Sequence, residues 1–408
     1  MFSSRERVTA ALNFKITDRA PKDLGGMRST SISAFAYPKL VNALGLPPRL
    51  PRIEDTMQML ALPDLDVLDA LGCDVVTICD GATNAFNQPE LWHPYDFDGR
   101  LPGLVRNPTS FKAQPDGTIL QRNLRMLPTS FVFDEPHGGQ PLQLVGDLPK
   151  IDLKKFKRDL GKKLLRDHQI RKKAALCKQV RESTDRAVFY NDGAIQAPIC
   201  IHGYGGLAIF PVICLTEPDY VAELHEIAAE YTIRNIHSLL PEIHPYIDII
   251  MMNADDWGTQ NNLIASPKIF RNLFLPYRKR INDACHSIAP EVKLFLHSCG
   301  AIYDLLDMIV ESGFDVLNPI QWPAGKHTYQ EWKDKCRNRL TLWGGGVNSQ
   351  TTLPLGSIDE IQKEISDIVD YLNQDGGYVF CNIHNILAEI PPEKVIALYR
   401  SASVTINK

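Results

Sequence analysis

His297 and Cys299 stand two residues apart in the run VKLFLHSCGAIYDLLDMI, at the end of an apolar stretch and just before a glycine. In an extended segment, residues i and i+2 project to the same side, so imidazole and thiol face one point at the mouth of a strand. These are the ligand types zinc favours. A second apolar run, Tyr378 to Phe380, delivers Cys381 in the same manner. His297, Cys299 and Cys381 would make a three-ligand site with one position to spare, the layout of a catalytic zinc rather than a closed structural one. The bland alternative is three core residues, because buried His and Cys are ordinary packing groups.

Other residues able to do chemistry also end apolar runs. Asp255 and Asp256 close MMNADDWG; neighbours on an extended chain point opposite ways, so one of them faces the strand's mouth as a catalytic or positioning carboxylate. The alternative for the pair is a helix cap and a surface charge. Trp257 is a candidate to stack on a substrate ring, with plain packing as its alternative. His202, in the flexible HGYGG loop, is a candidate substrate contact. That loop is no phosphate cradle, since neither GK[ST] nor dinucleotide spacing follows. Asn318, Gln321, Gly345 within GGG, and His384 three residues beyond Cys381 complete the candidate substrate-binding set.

These residues need elements to carry them. After Val67 apolar strands alternate with amphipathic helices to the end of the chain: Asp74–Cys79, AVFYNDG, IDIIMMNADDWG, KLFLHSCG, FDVLNPIQ, LTLWGGG and GYVFCN supply strands. Roughly eight such strands, most followed by a helix, favour a (β/α)8 TIM barrel, whose active site lies at the carboxyl ends of its strands. Every candidate above falls there. Residues 1–66 read as an N-terminal helical extension, with helices from Ser3 or Ser4 to Ala11, Ala34 to Leu44 and Ile53 to Leu60, and an extended piece before the turn at Leu24-Gly25-Gly26. Residues 67–408 read as the barrel, interrupted at about 83–150 by a Pro-, Gly- and aromatic-rich, β-rich insertion that would cap a site. The basic run 154–182 has helical spacing; it reads as a solvated outer helix or as a docking face for an acidic partner.

At 408 residues, with 44% hydrophobic and 23% charged residues, the composition is that of a globular protein with a large core. A net charge of −4 gives no case for nucleic acid, and no apolar run approaches the ~20 residues of a membrane span. Nine cysteines without a spacing framework, and an amphipathic start with no signal-peptide core, set the expectation of a cytoplasmic protein with reduced thiols.

The chain resembles the uroporphyrinogen decarboxylase superfamily, and within it the zinc- and cobalamin-dependent methyltransferase branch. The resemblance is carried by RERVTAALNFKITDRAPKDLGG, by HSCG followed by FDVLNPIQ, and by GGYVFCNIHNILAEIPPEKVIALY. It implies a zinc held by His297, Cys299 and Cys381, and methyl transfer to or from a corrinoid (methylcobalamin) carried on a separate protein. The small-molecule partner would be a methyl donor such as an aryl methyl ether, or a thiol or tetrahydrofolate acceptor. A homodimer is compatible with the sequence. The decarboxylases of the superfamily carry an MRQAGR segment where this chain has only Met27-Arg28 followed by Ser29-Thr30, which weakens the tetrapyrrole decarboxylase alternative. A non-catalytic barrel that binds a corrinoid protein or small ligand is the third reading.

Overall fold

Seven apolar runs become parallel strands: β1 (Val75–Cys79), β2 (Ala187–Asn191), β3 (Ile249–Ala254), β4 (Lys293–His297), β5 (Val316–Asn318), β6 (Thr341–Trp343) and β7 (Tyr378–Val379). They are buried almost throughout on both faces, as strands between a filled interior and a shell of helices must be. The computed structural model describes residues 2–135, 148 and 150–403. The strands pair in chain order from β1 to β7, and a two-residue strand, Ala82–Thr83, folds back antiparallel on β1.

The space between β1 and β7 is filled from the N-terminal region. Phe380 N donates to Pro21 O (2.8 Å), Asp23 N donates to Phe380 O (2.9 Å), and Asp74 N donates to Lys22 O (2.7 Å). The extended piece foreseen before Gly25 therefore joins the outer strands and completes a TIM-barrel-like ring. It supplies the eighth stave that the later alternation lacks.

Side-chain alternation then sorts the core into two. Val75, Phe189, Met251, Phe295, Val316, Trp343, Val379 and Cys381 point inward and form the barrel interior. Phe295 meets Phe189 and Trp343 edge to face, at 4.9 and 5.5 Å between centroids. The opposite faces pack on the helices. The N-terminal helix, Ser4–Leu12, starts at a Ser3–Glu6 capping box and adds Val8 and Leu12 to the interior cluster. Its Arg7 and the nearby Arg19 both bond the buried Asp74 carboxylate, at 2.8 and 2.7 Å, so RERV…TDR closes the lower end of the barrel.

Three expectations need correction. Ile53–Leu60 is not helical: Ile53–Asp55 and Leu60–Ala61 are antiparallel strands. The Asp55 carboxylate accepts from Met57 N and Gln58 N, a local turn that competes with helix. The helix expected at Ala34–Leu44 is only Tyr37–Ala43. The basic run, expected as one outer helix, makes two, Leu153–Gly161 and Asp167–Ser183.

The insertion is β-rich as expected. It holds the hairpin His93–Asp96/Pro102–Val105 and a meander of Phe111–Ala113, Ile119–Gln121 and Leu124–Met126. Its remainder at 136–147 and 149 lies outside the described residues. Arg106 ties it to the carboxyl end of β1, donating to Cys79 O and Asp80 O at 2.8 Å each.

Candidate metal centre at the barrel mouth

His297 ends β4 on its inward register, and its two ring nitrogens meet different company. Nδ1 lies 2.7 Å from Asn318 Oδ1, an acceptor, so Nδ1 carries the proton and Nε2 presents its lone pair. Asn318 ends the neighbouring β5 and is itself held, Nδ2 donating to Trp343 O at 2.9 Å. Around Nε2 stand Cys299 Sγ (3.3 Å), Ser29 Oγ (3.4 Å) and Asp256 Oδ1 (3.5 Å). One ligand atom each from His297, Cys299 and His384 lies within 4.8 Å of the others. Zinc bound to nitrogen and sulfur in a tetrahedron separates its ligand atoms by about 3.5 Å, close to the 3.3 Å between His297 Nε2 and Cys299 Sγ.

The loop that carries Cys299 is fixed by its backbone. Gly258 N donates to Cys299 O, Ser298 N to Asn318 O, and Cys299 N to Asp256 Oδ1 (2.9 Å). Gln321 Oε1 accepts from Gly300 N at 2.7 Å. Gly300 has φ +89°, and a side chain there would meet Gly258 backbone at 2.3 Å; the two loops touch main chain to main chain.

The paired aspartates part company, as strand alternation requires. Asp256 is half-exposed and faces His297. Burial pushes its carboxyl up, but the His297 ring, the Cys299 N–H and the His384 and His202 rings outweigh that and hold it below the ordinary range. Asp255 is fully buried, where burial pushes it up against the pull of Arg278. It pairs with buried Arg278, and accepts from Ile201 N and Trp257 Nε1, both at 2.6 Å. Burial, and next the His297 ring, lower His384 to about 4, leaving it neutral near pH 7.

The remaining candidates divide. His202 is half-exposed, its Nδ1 3.7 Å from Asp255 Oδ1, at the rim. Trp257 packs edge-on against Phe270 and Phe274 (4.9 and 4.7 Å) and is buried, so no face of its ring is open to a substrate; the stacking role expected of it is replaced by core packing. Asn318 and Gln321 act as holders of His297 and of the Gly300 turn. Gly345, at φ +79°, has its carbonyl on Trp322 Nε1 (3.0 Å), and a side chain there would strike Ile320 O. Cys381 lies in the barrel interior, its Sγ on Asn382 O at 3.1 Å. Ser29 and Arg278 were not foreseen: a lone Ser after Met-Arg and an Arg within a helix carry no spacing signal.

Residues 203–403 match the model of the uroporphyrinogen decarboxylase (URO-D) family. Among curated proteins, the chain is 28% identical over 148 residues to a uroporphyrinogen decarboxylase of Syntrophotalea carbinolica, and 25% identical over 178 residues to that of Geotalea daltonii. These matches take in 35% and 41% of this chain and span 38% and 48% of those relatives. A methyltransferase from Methanosarcina mazei shares the fold across 98% of both chains, with a TM-score of 0.53 at 17% identity. Over residues 203–403, just under half of its length, the chain is thus similar to the uroporphyrinogen decarboxylase family.

Proposed function

We propose that the protein is a zinc-dependent methyltransferase that moves a methyl group between a corrinoid protein and a small substrate. The observation that carries this reading is the His297–Cys299 corner: an imidazole with Nδ1 already spoken for, its free Nε2 3.3 Å from a thiol sulfur, at the end of a barrel strand. A zinc ion bound there supplies a Lewis acid that activates a thiol acceptor or makes an ether oxygen a better leaving group. The protein's own share is positioning. Asn318 fixes the His297 tautomer, and Gln321 and the Gly258–Gly300 contact fix the loop of Cys299. Asp256 Oδ1, beside the same nitrogen and in reach of solvent, is placed to take a proton from an incoming acceptor.

The names of the curated relatives favour a second reading, decarboxylation of a tetrapyrrole. Against it stands the charge balance near the mouth. Arg28, next to Ser29, is engaged by Glu54 (3.0 Å), Asp55 (3.9 Å) and Asp80 (3.2 Å), and Arg106 by Glu54 (3.4 Å). Cations already matched by carboxylates are poor receptors for a polycarboxylate.

The test is spectroscopic. Zinc-loaded protein is mixed with cob(I)alamin and a panel of methyl ethers, and with methylcobalamin and a panel of thiols. The proposal expects at least one pair to convert the corrinoid spectrum, with loss of conversion in Cys299→Ser. Decarboxylation of a porphyrinogen, with no corrinoid conversion in either direction, would overturn it.

A further inference from the structure

We infer that His384, and not Cys381, is the third metal ligand, so that the centre has two imidazoles and one thiolate. This inference rests on the metal-centre reading above and asks which residues of this chain build it. The candidates sit three residues apart after β7 but on different levels. Cys381 continues the inward register of Val379 and belongs to the interior cluster with Phe295, Trp343 and Val379, fully buried. Its thiol donates to Asn382 O (3.1 Å), and the backbone of Gly344 closes over it: a side chain on that glycine would lie 3.1 Å from Sγ.

Between this thiol and the metal corner stands the Asn318 amide. Its Nδ2 is 3.8 Å from Cys381 Sγ and 2.9 Å from Trp343 O, while its Oδ1 occupies His297 Nδ1. The histidine nitrogen on the Cys381 side is therefore already used, and the free one, Nε2, looks towards Cys299, Ser29 and Asp256. His384 lies on that open side. Its ring centre is 5.9 Å from that of His297, with the planes at 61°, and its ligand atom falls within 4.8 Å of both His297 and Cys299. For Cys381 to ligate, Asn318 would have to release both its partners; for His384, a modest approach suffices. A set with a single thiolate also leaves a cation held there with more net positive charge than a two-thiolate set would.

The experiment uses the full chain stripped of metal and reloaded with Co2+, whose thiolate charge-transfer absorption counts sulfur ligands. The wild type, Cys381→Ser, His384→Ala and His384→Cys are compared by metal stoichiometry, affinity, the charge-transfer band and far-UV circular dichroism. Cys381→Ser is expected to keep one Co2+ per chain, with Kd within about threefold of wild type and an unchanged band, since a serine hydroxyl can still donate to Asn382 O. His384→Ala is expected to weaken binding 100-fold or more. His384→Cys is expected to hold metal with a band about twice as intense, which keeps the inference testable if the alanine variant folds poorly. Loss of metal in Cys381→Ser, or a halved band there, overturns the inference while leaving the metal centre standing. A wild type that binds no Co2+ overturns the metal centre itself, and this inference with it.

Discussion

His297 commits one nitrogen to Asn318 and turns the other towards Cys299 and Ser29, and that division depends on a single amide. Removing a group that orients a metal-binding histidine typically costs 10–100-fold in affinity or activity. Asn318→Ala is therefore expected to raise the zinc Kd by about one to two decades, measured by competition with a chelator, and to cost about 1–3 kcal/mol of stability because Trp343 O loses its buried partner. The His-x-Cys pair was legible because strand alternation puts i and i+2 on one side. The same rule said that only one of Asp255 and Asp256 could face the mouth, and it is Asp256 that does. Which partner Asp255 takes was not legible, because Arg278 comes from a helix 23 residues on. Breaking a buried ion pair by removing one member costs about 3–5 kcal/mol. Arg278→Ala should accordingly lower the unfolding free energy by that amount in urea titrations, more than loss of the half-exposed Asp256 does.

The strand-end loops hold the centre through glycines rather than through side-chain packing. Gly300 combines a positive φ with main-chain contact to Gly258. Gly300→Ala should displace the turn that follows Cys299 and lower zinc occupancy at least tenfold, while circular dichroism still reports a folded barrel. Strands and their helices were legible from apolar periodicity, since each strand is buried on both faces. Ile53–Leu60 was misread because its apolar residues suit either period; the Asp55 side chain, bonding its own backbone two and three residues on, decides for a turn. The closing stave at Pro21–Asp23 was visible only as an extended piece, because its partners, Asp74 and Phe380, are remote in sequence.

Barrel closure places Asp23 inside the molecule, where it accepts from Gly26 N (2.7 Å) and Trp343 Nε1 (2.9 Å). Burial nevertheless raises its carboxyl from 3.8 to about 6. Between those values the unfolded chain loses its proton first, so folding stability should fall as pH rises, by on the order of 3 kcal/mol in all. Asp23→Asn, which cannot ionise, should show a stability that varies less between pH 4 and 6.5. Equilibrium unfolding across that range measures the slope. On the outer surface, helix Leu153–Gly161 carries Lys154, Lys155, Lys157 and Arg158 exposed, and its Phe156 meets Tyr204 of the HGYGG loop at 5.4 Å. A basic face beside the mouth suits a corrinoid protein of opposite charge. Lys154→Glu with Lys155→Glu should slow transfer with such a protein about tenfold at low salt and leave the rate with free cobalamin unchanged. Equal slowing of both would remove docking from the explanation.

Everything proposed for this molecule begins with a metal ion on His297 and Cys299. Elemental analysis of the protein purified without chelator, beside His297→Ala prepared in the same way, measures that ion. The expected result is about one zinc per chain in the wild type and background in the variant, with both equally folded. Zinc at background in the wild type, or equal zinc in the two proteins, would contradict the account.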